Sequence, residues 1–177
     1  MSRYDVKNDV GLMDKHLSTR QVYLAGPFFD ESQLDQIVRV EQMLTKRGIS
    51  FYSPHREMRF KRGMPRVVAQ RCKHLNQVHC NKSKLVLACL SWPDTGTAWE
   101  LAWAEAMGTY RLGFTSNAHV EMNLMVRETV DALVPFNALS VVLDKLRGSL
   151  VRPGYGSIRT ILEGLEENFG RVTEINE

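Results

Sequence analysis

The feature that most constrains this chain is the run Leu85-Val86-Leu87-Ala88-Cys89-Leu90, set between Lys84 and Ser91. It is too short to cross a membrane and too uniformly apolar for a strand with one wet face. A strand from Lys84 to Ser91 that is covered on both sides satisfies it, and such strands lie at the centre of parallel sheets. A parallel sheet needs crossover connections, and the flanking sequence supplies them. Gln21 to Gly26 reads as a buried strand stopped by Gly26-Pro27. Asp30 or Ser32 caps a following helix that carries Leu34, Ile37, Val38, Met43 and Leu44 and stops at Gly48. Ile49 to Ser53 is a short second strand closed by Pro54. His55 to Gly63 reads as a basic loop, and Met64 to Asn81 as a helix.

Beyond the central strand, Trp92 to Gly96 forms a turn and Thr97 to Met107 a helix ending at Gly108. Tyr110 to Thr115 is a fourth strand, weakened by Gly113. Asn117 to Arg127 reads as a loop, Val130 to Val134 as a short fifth strand, Phe136 to Arg147 as a helix opened by Pro135, and Ser157 to Phe169 as a last helix. This alternation predicts an α/β fold, a doubly wound (flavodoxin-like) sandwich around a parallel sheet of about five strands. Such sheets bind ligands beyond the carboxyl ends of their strands. The site is therefore expected on the rim formed by the loops after Gly26, Pro54 and Ser91. Residues 1–20 read as an N-terminal arm, 21–150 as the main α/β domain and 151–177 as a C-terminal helical extension.

Composition narrows the function classes. The 177 residues are 44% hydrophobic and 24% charged, ordinary for a chain that buries a core. The net charge of +3 does not by itself imply nucleic-acid binding. Its placement is uneven, however. From Arg59 to Pro93 there is no acid, while Arg59, Lys61, Arg62, Arg66, Arg71, Lys73, Lys82 and Lys84 are all basic. Such a block is either a solvated surface or an attractor of an anionic ligand. Three cysteines without a CxxC spacing argue against a disulfide framework or a zinc site, and no metal or other cofactor is expected. No segment has the length of a signal peptide core or a membrane span, so a cytoplasmic protein is expected. Ala25-Gly26-Pro27 is not a dinucleotide-binding glycine loop.

Three segments on the expected rim could carry chemistry. In Tyr23 to Phe29, Gly26 lets the backbone approach a ligand, and Phe28 and Phe29 offer flat faces to a planar base; from composition alone the plainer reading is that both are core and Gly-Pro is a turn. In Pro93 to Glu100, Asp94 sits at the mouth of the central strand and Glu100 early in the next helix. Two carboxylates flanking a small site are the usual apparatus of glycosidic chemistry. The same pair could instead be a helix cap and an acid favoured by the helix N-terminus. Met122 to Met125 carries no meaning alone.

Taken together the segments resemble the nucleoside 2-deoxyribosyltransferase family. They are Tyr-Leu-Ala-Gly-Pro-Phe-Phe on the first strand, Asp-x-Gly-Thr-x-x-Glu after the central strand with Glu-Leu-Ala-x-Ala continuing into the helix, and Asn-x-Met late in the chain. The resemblance spans residues 21 to 135. It implies that Glu100 is a nucleophile forming a covalent deoxyribosyl ester, that Asp94 orients it and holds a sugar hydroxyl, and that Tyr23 hydrogen-bonds it. It also implies that Phe29 lines the base and that Asn123 and Met125 enter the sugar pocket of a neighbouring subunit, hence a homo-oligomer with shared sites. The partner is then a small deoxynucleoside or deoxynucleotide, and deoxyribose passes to another base or to water.

One departure from the family pattern stands out. Members often carry an aspartate on the helix before the central strand to handle the proton of the base, and this helix has no acid. Ungapped counting from Asp94 puts His74 there, and an imidazole can protonate a leaving base. The missing carboxylate also carries a second reading, a nucleotide-binding or sensor module on the same fold without turnover. Arg56, Arg59, Lys61 and Arg62 follow the second strand, and arginine forks suit a 5′-phosphate. A nucleic-acid-binding protein is disfavoured because no recognisable motif is present.

Overall fold

The structure is a computed structural model and describes residues 19–58, 63–117, 122–152 and 154–169. Five strands form one sheet: β1 (Val22–Ala25), β2 (Phe51–Tyr52), β3 (Leu85–Cys89), β4 (Tyr110–Thr115) and β5 (Ala132–Pro135). Their order is β2-β1-β3-β4-β5, and each neighbouring pair is parallel. The order 2-1-3-4-5 is the flavodoxin-like one, and its connections reverse direction between β1 and β3. The apolar run is thus the middle strand, and all five of its residues are buried.

Side-chain alternation along the strands divides the core into two layers. Val22 and Leu24 of β1, with Leu85, Leu87 and Cys89 of β3, face one side. There they pack on α1 (Glu31–Lys46), α6 (Leu139–Val151) and α7 (Ile158–Phe169). Tyr23 and Ala25, with Val86 and Ala88, face the other side, against α3 (Arg66–Lys82) and α4 (Thr95–Ala106). Ile158, Leu162 and Leu165 of α7 are buried in the first layer, so this C-terminal helix shares the core of the sheet.

Several local readings shift. Helix α1 starts after Asp30, whose carboxylate accepts the Gln33 N–H. Pro54 does not merely close β2: it opens a single helical turn, α2 (Pro54–Glu57), as the first position of a helix tolerates proline. The segment read as a basic loop therefore begins helically. The stretch from Asn117 to Arg127, read as a loop, contains the start of a short helix, α5 (Leu124–Thr129), capped by Asn123. A 3₁₀ turn (Phe136–Ala138) precedes α6. Gly113 has a packing reason, because a Cβ there would lie 2.9 Å from both Leu90 Cδ1 and Leu133 Cδ1. No helix among the described residues is long and apolar enough to cross a membrane.

Candidate active site

The reversal between β1 and β3 places Tyr23 beside the segment that follows β3. Tyr23 is completely buried. Its hydroxyl donates to Glu100 Oε1 at 2.5 Å, across 77 residues of chain. The same oxygen receives Asn76 Nδ2 of α3 at 3.4 Å, and Asn76 Oδ1 accepts from the Tyr52 hydroxyl at 3.1 Å. Tyr52 closes β2 and stacks on Tyr23, with ring centroids 5.6 Å apart, and on the buried His79 ring at 3.9 Å. Both donors meet Oε1, so Oε2 is left as the oxygen able to approach a substrate.

This setting governs the charge of Glu100. Burial is the largest influence and lifts its carboxyl to about 7; the Tyr23 hydrogen bond pulls it down, and the negative charge of Asp94 pushes it up. The Tyr23 phenol is driven well above its ordinary value by burial and then by the Glu100 charge, so it remains a donor. Burial likewise pushes the Cys80 thiol, whose Sγ lies 3.7 Å from the Glu100 carbonyl oxygen, up to about 12. Cys80 is a neutral packing group here.

Asp94 has two roles. It is the N-cap of α4: its Oδ2 accepts from the Thr97 N–H at 2.7 Å and from Thr97 Oγ1 at 2.6 Å. Its charge also acts on Glu100. Capping occupies one carboxylate oxygen, and Oδ1 takes no hydrogen bond among the described residues. A cavity of about 560 Å³ opens beside it, bordered by Trp92, Asp94, Ala98, Ala102, Asn123 and Met125 among others. Glu100 does not line this cavity. It leaves α4 on the side away from Ala98 and Ala102, toward α3 and β1, so Asp94 is the residue common to both environments.

The remaining candidates divide. Gly26 is required by close approach: a Cβ would fall 2.7 Å from Ile37 Cδ1 and 2.8 Å from Cys89 Cβ. Phe28 and Phe29 stack at 5.4 Å, and Phe29 is 71% exposed, so this pair presents an aromatic face rather than filling the core. Met125 is 74% exposed beside the cavity, and Asn123 Oδ1 accepts the Met125 N–H at 2.9 Å. His74 is exposed, and the face of α3 that meets Glu100 carries Asn76 and Cys80 instead. Arg56 is engaged with Glu41 at 3.5 Å and lies over the Phe51 ring at 5.5 Å, away from Glu100. Arg59, Lys61 and Arg62 lie outside the described residues.

Reasoning on sequence missed Asn76 and Tyr52. The signal was present: Asn76 and Cys80 are one helical turn apart, the spacing that puts two side chains on one face.

The sequence matches the family model described as nucleoside 2-deoxyribosyltransferase over residues 22–139. The chain belongs to that family. The match includes every strand and both helices that frame Glu100. Among solved structures, the 2-deoxyribosyltransferase of the psychrotolerant bacterium Bacillus psychrosaccharolyticus is similar at 25% identity and a TM-score of 0.61, covering 67% of this chain and 89% of its own. The CMP N-glycosidase BcmB of Clostridium botulinum shares the fold at 20% identity and a TM-score of 0.52, covering 70% of this chain and 98% of its own. No curated protein matches the sequence. Membership in this family supports an enzyme that cleaves or transfers at a glycosidic bond of a small nucleoside-type substrate.

Proposed function

We propose that this member of the nucleoside 2-deoxyribosyltransferase family cleaves the N-glycosidic bond of a 2′-deoxynucleoside or deoxynucleotide, with Glu100 as nucleophile. The carrying observation is the Glu100 carboxylate held through one oxygen by Tyr23 and Asn76 at the reversal between β1 and β3. Such a carboxylate is aimed and partly desolvated, and a nucleophile needs both. Oε2 attacks the anomeric carbon, the base leaves with the bonding electron pair, and a deoxyribosyl ester on Glu100 results. Water or a second base then attacks the same carbon and frees the carboxylate. Both steps pass through an oxocarbenium-like state. A missing 2′-hydroxyl makes that state easier to reach.

Asp94, whose Oδ2 alone is taken by the helix cap, suits a sugar hydroxyl through Oδ1, and its charge opposes a second negative charge on Glu100. Exposed Phe29 with Phe28 suits a base. Asn123 and Met125 sit on α5 and at its cap, where a neighbouring subunit could use them, which is the homo-oligomeric arrangement we favour. A 5′-phosphate on the substrate rests on the basic run after β2 as a whole, because Arg56 is already paired.

The experiment is incubation with each deoxynucleoside and its 5′-monophosphate, with and without a free acceptor base, read by chromatography. Free base without acceptor means a hydrolase; base exchange only with acceptor means a transferase. Equal rates on nucleoside and monophosphate remove the phosphate proposal. An absence of turnover on every donor favours the second reading, a binding module, whose support is the lack of any carboxylate on the helix before β3.

A further inference from the structure

On α1 lies a buried acid that the reaction above does not use. Glu41 is 6% exposed. Its Oε1 is buried without a hydrogen bond and lies 3.6 Å from His55 Nδ1, which is itself buried without one. Its Oε2 lies 3.5 Å from Arg56 Nε. A buried carboxylate is costly to desolvate, and a pair of this kind is weak evidence of added stability. What it does provide is orientation. The Nδ1 edge of the imidazole is turned inward to Glu41, while the His55 side chain as a whole remains 32% exposed. The open edge is therefore the one carrying Nε2.

The ring also meets the aromatic pair proposed above for the base. The His55 ring is 5.8 Å from Phe28, which stacks on exposed Phe29. Three residues before His55, Tyr52 stacks on Tyr23, the partner of Glu100. His55 thus adjoins Phe28 of the aromatic pair, and its segment follows the strand residue that stacks on the partner of Glu100. The α3 residue facing Glu100 is Asn76, an amide with no proton to release, and His74 is on the exposed face of that helix.

We propose that His55 is the catalytic acid–base residue for the nucleobase and that Glu41 is its positioning residue. The assignment rests on the glycosidic reading above. As the C1′–N bond breaks, its electron pair goes to the base nitrogen, which takes the proton from His55 Nε2, while Glu100 Oε2 bonds to C1′. In the second half water adds to C1′, gives its proton to His55 and displaces the Glu100 carboxylate. Throughout, Nδ1–H stays directed at Glu41.

The test compares two deoxyribosyl donors. One is a nucleobase donor that the protein cleaves; the other carries a leaving group that departs without a proton, such as an N7-methylated purine or 4-nitrophenolate. We expect H55Q to lose roughly 10²-fold on the nucleobase donor and less than about threefold on the activated one. E41Q should show the same selective loss at smaller amplitude, and E41D should recover part of it. Equal losses on both donors, or no loss on either, overturn the assignment. If H55Q does not fold, E41Q decides by the same ratio. An unsubstituted protein that cleaves the activated donor alone also overturns it, because no working acid is then present. Cleavage of neither donor sinks the glycosidic reading itself, a distinct outcome.

Discussion

The two faces of α4 contrast sharply. One face, through Glu100, is tied to Tyr23 and Asn76 by hydrogen bonds and packed against α3. The other face, carrying Ala98 and Ala102 between Thr95 and Glu105, borders an open cavity. On the first, charge is kept where water is scarce, so each hydrogen bond shifts reactivity. On the second, nothing is fixed, and small side chains leave room for a ligand or a neighbouring subunit. Asp94, at the start of the helix, belongs to both. The contrast predicts that substitutions on the Glu100 face change rate and pH dependence, and that those on the alanine face change affinity.

Among residues that do not bond to the substrate, the largest effect should come from Tyr23→Phe. It removes the principal donor to Glu100 and should lower kcat by roughly 10²-fold, in the range seen when one preorganised donor is lost. The tyrosine holds the carboxyl down, so without it Glu100 ionises at higher pH. The acid limb of kcat/KM, expected near 7 in the unsubstituted enzyme, should move upward. An unmoved limb would separate Tyr23 from Glu100.

Stability should follow the opposite logic. The folded-state value of Glu100 is raised from 4.5 to about 7. The folded protein therefore binds the proton more tightly than the unfolded chain does, and stability falls as pH rises from about 4.5 to about 7. A shift of that size corresponds to at most about 3 kcal/mol. Glu100→Gln should thus raise the denaturant midpoint at pH 8 and change it little at pH 4. A midpoint that drops at pH 8 would mean that the ionised carboxylate stabilises the fold.

Asp94 allows its two roles to be separated. Asp94→Asn keeps a good cap but removes the charge, so the acid limb should move down while stability holds. Asp94→Ala loses the cap as well and should cost about 1 kcal/mol of stability. Equal stability of the two variants would remove capping from the account.

The smallest effects belong to the alanine face. Met125→Ala should leave stability within about 0.5 kcal/mol, because the side chain is exposed. If a neighbouring subunit uses Met125, KM should still rise several-fold with kcat little changed. An unchanged KM would confine the site to one chain.

How much of this was legible in the sequence depends on the physics of each element. Strand β3 was unmistakable because a strand covered on both faces has no polar position, and it fixed the rim. Asp94 was legible as a cap because capping is local to one helix start, but that Glu100 points away from the cavity beside Asp94 was not, because it depends on helical phase and on Tyr23 and Asn76 from other elements. Asn76 was not, because counting along the chain from Asp94 points to His74, while helical phase decides which residue meets Glu100. Tyr52 was not legible, since its ring stacks in the core and only its hydroxyl reaches Asn76. Pro54 was read as a stop, although proline also suits the first turn of a helix, and α5 is too short to show a period. Gly113 looked like a weakness until Leu90 and Leu133 were seen to need its missing Cβ.

The most direct test of the central claim is to quench the protein with acid during turnover of a deoxyribosyl donor and map adducts by peptide mass spectrometry. A deoxyribosyl ester on Glu100, absent in Glu100→Gln, is the predicted result. Active protein that carries no adduct at any time, or carries it on another residue, would contradict the account.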